Sequence, residues 1–145
     1  MFNPQIAASA SRPSSFVGAY HQVGVHTAVA DATPHQLVAM LFDGLFDAML
    51  RAQGALAASD HAAKGQAIGR AVRIVDEGLK ASLDVNAGGT LASDLRDLYA
   101  YVCLRLTQAN LRNDAAALQE CIALMQPLRD AWSAIGHNPE SVVRN

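Results

Sequence analysis

Apolar residues recur at three- and four-residue steps along most of the chain, which is the spacing typical of amphipathic helices. Four such stretches are separated by short polar segments and predict helices over residues 34–58, 61–83, 91–111 and 114–136. No stretch shows the period-two alternation of a half-buried strand. Four helices of similar length with short connections favour an all-α fold, an antiparallel up-down four-helix bundle.

The ends of these helices carry their own sequence signals. Residues 33–36, Thr-Pro-His-Gln, predict a capping box at the start of the first helix, with proline at the first helical position. Ser59 and Asp60 supply cap residues for the second helix, and Asn113 and Asp114 open the fourth. These signals place the helix starts independently of the apolar pattern.

Two further positions affect the backbone. The segment 84–90, Asp-Val-Asn-Ala-Gly-Gly-Thr, has the composition of a turn. Because it must reverse the chain between two long helices, Gly88 or Gly89 is expected to have a positive φ angle. In the fourth helix, Pro127 lies inside the apolar pattern and predicts a kink, since proline removes one backbone hydrogen bond.

The helical spacing also predicts which side chains are buried. Leu91 is expected to face inward with the rest of the third helix. The core residues predicted from the four seams are Leu41, Leu45, Val72, Val75, Leu79, Leu95, Leu98, Val102, Ile122, Met125 and Trp132.

Some apolar side chains fall on lines beside these seams and are predicted to face outward. They are Phe42 and Phe46 in the first helix, Ile74 in the second, and Tyr101 and Leu104 in the third. A stripe of this width indicates either a deeply buried helix or a surface that binds a partner. If the surface is exposed, an amphipathic helix of another protein is a suitable ligand for it.

The two ends of the chain differ from the bundle. Residues 1–15 are rich in Ala, Ser and Pro and are expected to form a flexible tail. Residues 16–32, which include Phe16 and Tyr20, are apolar without a regular period and predict an arm packed on the bundle. Residues 138–145 are polar and predict a flexible C-terminal tail, so the domain is expected to span 16–137.

Charge and composition exclude several classes of function. The net charge of the 145 residues is −2 and no basic cluster occurs, whereas nucleic-acid binding requires clustered cations. No apolar run reaches the roughly 18 residues that span a membrane, and the N-terminus lacks the pattern of a signal peptide. Cys103 and Cys121 lie in apolar stretches, which is typical of buried thiols in a reducing cytoplasm.

No pattern of catalytic residues is found. A di-metal site in a helical bundle needs several glutamates and a Glu-x-x-His pair, but the chain has only three glutamates, none of them three residues before a histidine. Asp43 and Asp47 are one helical turn apart, yet a solvated charged face with Arg51 explains them as well as an acid–base pair does. We therefore predict no catalytic, cofactor-binding or metal-binding residues and a protein that is not an enzyme.

Several motifs resemble the flagellin export chaperone family when they are taken in order. Residues 19–50 resemble the N-terminal region of that family, with an early tyrosine, a Thr-Pro-x-x-Leu helix start and the run Met-Leu-Phe-Asp-Gly. Residues 64–114 resemble its central region through Gly-Leu-x-x-x-Leu-Asp, a Gly-Gly loop, Leu-Tyr-x-Tyr and Arg-Leu-x-x-Ala-Asn-x-x-x-Asp. Trp132 matches a tryptophan near the end of the last helix, whereas Pro127 departs from the family pattern.

The resemblance implies a cytoplasmic chaperone that binds the C-terminal segment of flagellin, prevents its premature polymerisation and supports its delivery to the flagellar type III secretion apparatus. Export-gate components are further candidate partners, and the free protein is expected to be a monomer or a weak homodimer. The resemblance also implies that the arm, through Tyr20, occupies an apolar pocket. Candidate partner contacts are Phe16, Tyr20, Phe42, Ile74, Tyr101 and Leu104.

A second interpretation of the same apolar surface remains open. The chain could be a helical structural or adaptor subunit that buries its apolar faces against copies of itself. An obligate oligomer of this kind would unfold as it dissociates on dilution, whereas a chaperone would stay folded without its client.

Overall fold

A computed structural model describes residues 31–137 of the protein. The expected arm residues Phe16 and Tyr20 and both expected tails lie outside the described residues. Within the described range the chain forms only helices and turns, which confirms the predicted all-α four-helix fold. The helices are α1 (Pro34–Ala57), α2 (His61–Arg73), which continues directly into a π-helical segment (Ile74–Lys80), α3 (Val85–Arg112) and α4 (Ala115–His137).

The predicted starts of the first two helices are confirmed by their hydrogen bonds, whereas the third helix begins at Val85 and not at the predicted residue 91. The Gln36 amide donates to Thr33 Oγ1 at 3.1 Å, and the Thr33 amide donates to Gln36 Oε1 at 2.9 Å, which completes the capping box. The side chain of Asp60 accepts from the Ala63 amide at 3.1 Å at the start of α2. Short polar side chains therefore satisfy amide groups that have no partner inside the helix.

The glycine pair forms the bend that was expected between the second and third helices. Asp84 caps a single helical turn at the start of α3 by accepting from the Ala87 amide at 3.0 Å. Gly89 then leaves helical geometry at φ 59° and ψ −138°, which confirms the predicted positive φ. Glycine is required at position 88 for a different reason, which is space. A Cβ atom there would lie 2.5 Å from the Cβ of Ala92.

The predicted core is confirmed, and none of its eleven residues is exposed. Leu45, Val75, Leu79, Val102 and Met125 are buried, and the other six are half-buried. Helix α1 contacts α2, the π-helical segment and α4, and its apolar face is therefore covered on more than one side.

Four predicted orientations are wrong. Phe42, Phe46 and Ile74 were expected to face outward, but they are 3%, 4% and 0% exposed. Phe42 is covered because α1 has neighbours on two sides, and Ile74 is covered because the π-helical segment contacts both α1 and α3. Leu91 was expected to face inward but is 69% exposed, since it lies in the first turn after Gly89, where none of the described residues covers it.

The π-helical segment explains part of this difference. A π-helix has i to i+5 hydrogen bonds, so the angle between successive side chains differs from that of an α-helix. A helical wheel drawn with 3.6 residues per turn is therefore less accurate within Ile74–Lys80, although it places Val75 and Leu79 correctly in the core. Helix α4, in contrast, stays helical on both sides of Pro127.

At the other end of the bundle, Lys64 joins α2 to the end of α3. It is the one charged side chain that is buried among residues 31–137, at 6% exposure. Its Nζ donates to the carbonyl of Asn110 at 2.8 Å and to Oδ1 of Asn113, the left-handed residue that ends α3. A buried cation beside the C-terminal carbonyls of a helix is favourably placed, because these carbonyls carry partial negative charge.

The backbone geometry generates a matched pair of glycine substitutions. We expect Gly89→Ala to lower the free energy of unfolding by about 1–2 kcal/mol, because an L-residue is strained at this positive φ. Gly54 lies inside α1 with no atom within 4 Å of an added Cβ, so Gly54→Ala should raise stability by about 0.5–1 kcal/mol. Urea unfolding measures both, and a Gly89→Ala protein as stable as the original would contradict the strain at this bend.

Candidate functional site

An apolar groove of about 500 Å³ lies at one end of the bundle, between the π-helical segment and helices α1, α3 and α4. We refer to it as the groove. Nearly all the side chains that line it are aliphatic or aromatic. They are Val38 and Phe42 from α1, Leu79, Ser82 and Leu83 from the end of the π-helical segment and the turn after it, Leu91, Leu95 and Tyr99 from α3, and Pro127, Leu128, Ala131, Trp132 and Ile135 from α4.

The local backbone opens the groove. The chain turns between Lys80 and Gly89, so α3 begins beside the end of the π-helical segment and presents Leu91 and Leu95 along one wall. On the opposite wall Pro127 replaces a backbone N–H with a ring, which adds apolar surface. The hydroxyl of Ser82 donates to the carbonyl of Leu79 at 2.7 Å, so this polar group is already paired. The groove therefore offers apolar contact and few hydrogen bonds.

Trp132 separates the groove from a second, more polar cavity of about 400 Å³ that includes His35, Gln36 and Asp43. The indole Nε1 donates to the carbonyl of His35 at 3.0 Å, and its ring stacks on the imidazole with centroids 4.6 Å apart. Because the polar atom of the indole is paired inside the protein, the surface that it presents to the groove is apolar.

The carboxylates near this region form ion pairs. Asp43 accepts from Nη2 of Arg129 at 2.6 Å, and the guanidinium of Arg129 lies 4.7 Å from the centre of the Phe46 ring. Asp47 accepts from Nε of Arg51 at 2.9 Å. Asp43 and Asp47 thus have separate cationic partners, which favours the charged-face interpretation over an acid–base pair.

Of the four candidate partner contacts that fall within the described residues, one lines the groove. Phe42 lies at its base, whereas Ile74 is enclosed in the core. Tyr101 and Leu104 are exposed on α3, at 40% and 54%, and do not line it. Phe16 and Tyr20 lie outside the described residues, and a role of any of the six in partner binding stays a prediction.

Sequence reasoning missed most of the residues that form the groove as a site. Leu83 and Ile135 both line the groove, and each is the last member of the apolar stripe of its helix. A stripe that continues to the very end of a helix leaves its last side chains without a facing neighbour. That pattern, together with Leu91 directly after the glycine turn, is the signal that could have located the groove.

Tyr101 belongs to a polar cluster between α3 and α4. Its hydroxyl donates to Oε2 of Glu120 at 2.6 Å, and Nε of Arg105 donates to Oε1 of the same carboxylate at 2.7 Å. The hydrogen bond from Tyr101, together with that from Arg105, lowers the pKa of Glu120, and the same bond raises the pKa of Tyr101. This face of the bundle is held by polar contacts and differs in chemistry from the groove.

The described residues offer neither a cluster of metal ligands nor an ionised thiol. No cluster of three or more His, Cys, Asp or Glu side chains in residues 31–137 could hold a metal ion. Burial raises the pKa of Cys103 to about 11 and that of Cys121 to about 12, so both thiols stay protonated at neutral pH. None of the helices in this range is long and apolar enough to cross a bilayer.

Comparison with known proteins gives a consistent result. The family model described as flagellar protein FliS matches residues 16–139. The flagellar secretion chaperone FliS of Salmonella typhimurium is 48% identical over 84% of this chain and 90% of its own. The corresponding protein of Escherichia coli K12 is 44% identical over 79% and 84%, and the flagellar secretion chaperone FliSB of Pseudomonas aeruginosa is 38% identical over 81% and 93%.

The polar cluster generates a prediction about pH. We expect Tyr101→Phe to raise the pKa of Glu120 towards its usual value, because one of the two donors to the carboxylate is lost. A group with a lowered native pKa adds stability above its unfolded pKa, and this contribution is lost as the pH falls through the native pKa. A ¹³C NMR titration of the Glu120 carboxyl measures the shift, with Tyr99→Phe as the control.

The pKa of Glu120 is therefore expected to be higher in Tyr101→Phe than in the original protein and in Tyr99→Phe. Identical values in all three proteins would show that Tyr101 does not stabilise the ionised carboxylate.

Proposed function

This chain belongs to the FliS family of flagellar secretion chaperones, and from that premise we propose that it binds the C-terminal segment of flagellin through the groove. The binding takes place in the cytoplasm, prevents premature polymerisation of flagellin and supports its delivery to the flagellar type III secretion apparatus. Export-gate components are further proposed partners. The family is one of chaperones and not of enzymes.

The observation that carries this proposal is the groove itself. An amphipathic helix binds by laying its apolar face into a groove between helices, with anchors at steps of three and four residues. The groove presents aliphatic and aromatic side chains from α1, α3 and α4 and from the end of the π-helical segment. Leu91 lies at the edge of the groove and is 69% exposed, and a large apolar side chain in this position is suited to burial against a partner.

The chemistry of a filament subunit explains why covering such a helix is useful. A terminal segment that packs inside a filament has an apolar face, and this face self-associates when it is exposed to water. A chaperone that covers the same face blocks self-association without any covalent step. A site for this purpose needs apolar area and shape, and the groove offers both.

The free protein is proposed to be a monomer or a weak homodimer. The alternative, a subunit that buries its apolar faces in an obligate homo-oligomer, is favoured by one observation. Leu104 and Leu111 are 54% and 76% exposed, and they lie seven residues apart on one side of α3. Sedimentation over a dilution series distinguishes the two, because an obligate oligomer loses its fold as it dissociates.

Two exposed leucines provide a matched test of the groove. Leu91→Ser should weaken binding of flagellin's C-terminal segment roughly fivefold to thirtyfold, as expected for the loss of about 1–2 kcal/mol of apolar burial. Leu50→Ser is the control, since Leu50 is 56% exposed on α1 and does not line the groove. Isothermal titration calorimetry should give a negative heat-capacity change for the original protein. Equal losses in both variants would argue against the groove as the binding site.

The arm generates a separate prediction. We propose that the apolar residues Phe16 and Tyr20 compete with flagellin for the groove. Deletion of residues 1–20 should then strengthen flagellin binding, by about tenfold for each 1.4 kcal/mol of lost competition. Calorimetry on the full-length and truncated proteins gives the sign of the effect. Weaker binding after truncation would mean that the arm covers the bound segment, and unchanged binding would exclude both roles.

A further inference from the structure

His35 and Trp132 hold each other through three contacts that join the first turn of α1 to the last part of α4. The Trp132 indole Nε1 donates to the carbonyl of His35 at 3.0 Å. In return, Nε2 of His35 lies 2.8 Å from the carbonyl of Trp132 and donates to it, because a carbonyl oxygen can only accept. The two rings are stacked, with an interplanar angle of 5° and centroids 4.6 Å apart.

The backbone on both sides is built around this pair. Thr33, Pro34 and Gln36 fix the first turn of α1 through the capping box, so the His35 carbonyl has a defined position. One turn beyond Trp132, residue 136 is glycine, and a Cβ atom there would lie 2.3 Å from Cε1 of His35. The imidazole therefore occupies the space that any other side chain at position 136 would fill.

We propose that His35 is a positioning residue for client binding, which fixes the Trp132 indole as a preformed wall of the groove. This inference rests on the proposed function, because it assigns a role to His35 in that same site. His35 does not line the groove, whereas Trp132 lines both the groove and the neighbouring cavity. The effect of His35 on a bound client is therefore exerted through the indole.

The physical basis is preorganisation. An indole that is already held in its binding orientation loses little side-chain entropy when a client helix packs on it. Without the imidazole, the ring loses its stacking partner, and the Trp132 carbonyl loses one of the two hydrogen bonds that join these two residues. The ring then loses its side-chain entropy when the client binds, which weakens binding. We expect His35→Ala to weaken the binding of flagellin's C-terminal segment roughly threefold to tenfold.

The chain offers a direct measurement of the indole, because Trp132 is its only tryptophan. Steady-state fluorescence anisotropy of the free, full-length protein reports the local motion of that ring. It should fall in His35→Ala and also in Gly136→Ala, which displaces the imidazole but keeps His35 and Trp132 in the chain. Alanine favours a helix more than glycine does, so a loss in Gly136→Ala is not an effect of helix propensity.

Lys64→Met is the control for an unspecific loss of stability. Lys64 lies at the opposite end of the bundle, and its removal leaves the carbonyl of Asn110 without that donor. At a temperature where circular dichroism shows all variants to be folded, Lys64→Met should keep the original anisotropy and the original affinity for a tryptophan-free peptide of the flagellin C-terminal segment. His35→Ala and Gly136→Ala should have a lower Trp132 anisotropy and a lower affinity for the peptide.

Two results would overturn the proposal. One is unchanged Trp132 anisotropy in both His35→Ala and Gly136→Ala, and the other is lower anisotropy with unchanged peptide affinity. Failure of the proposed function has a different outcome, in which the original protein itself does not bind the peptide. The role of His35 and the function of the groove are therefore tested separately.

Discussion

The wide apolar face of α1 is the feature on which the rest of the structure depends. Its buried side chains include Leu45, Phe46 and Met49, and they pack against α2, the π-helical segment and α4. Full burial of each large apolar side chain is worth about 1.5–3 kcal/mol, so this face dominates the packing of the domain. Helix α3 contacts α2, the π-helical segment and α4 to close the bundle.

The groove follows from how this packing ends. Helix α1 contributes Val38 and Phe42 near its start. At the same end of the bundle the π-helical segment ends, and the long part of α3 begins after Gly89. Apolar side chains on all four sides then face a space that none of the described residues fills. Trp132 bounds this space and is tied to α1 by the His35 contacts. The same apolar character that folds the domain therefore also lines a groove that stays open at this end.

Periodicity and capping signals were sufficient to predict the helices. Residues 33–36 and Asp60 start α1 and α2 as expected, and the positive φ of Gly89 follows from a turn that only glycine adopts easily. These features are local, and the amino-acid sequence specifies them over a few residues. Orientation was predicted less well, because it depends on which neighbours cover a helix. Ile74 is the clearest case, since the π-helical geometry around it is not visible in the residue types.

The groove does not lie where the sequence predicted an outward apolar surface. An apolar surface for a partner helix was expected, yet the outward lines chosen for it led to Phe42, which is buried at the base of the groove, and to Tyr101, which is bonded to Glu120 on another face. The groove depends on side chains from the ends of separate helices that meet only in the folded bundle. The stack of His35 on Trp132 joins residues 97 positions apart, and no short-range pattern indicates such a contact.

Binding of flagellin in the groove is tested most directly by mapping the contacts of the flagellin segment. Full-length protein that carries labelled methyl groups and ¹⁵N, titrated with a peptide of the flagellin C-terminal segment, reports contacts as changes in NMR chemical shift at methyl groups and at the indole N–H. If the segment binds in the groove, the largest changes occur at Leu83, Leu91 and Leu95 and at the Trp132 indole. Changes confined to Leu104 and Leu111 on the outer face of α3 would contradict it, as would the absence of any change.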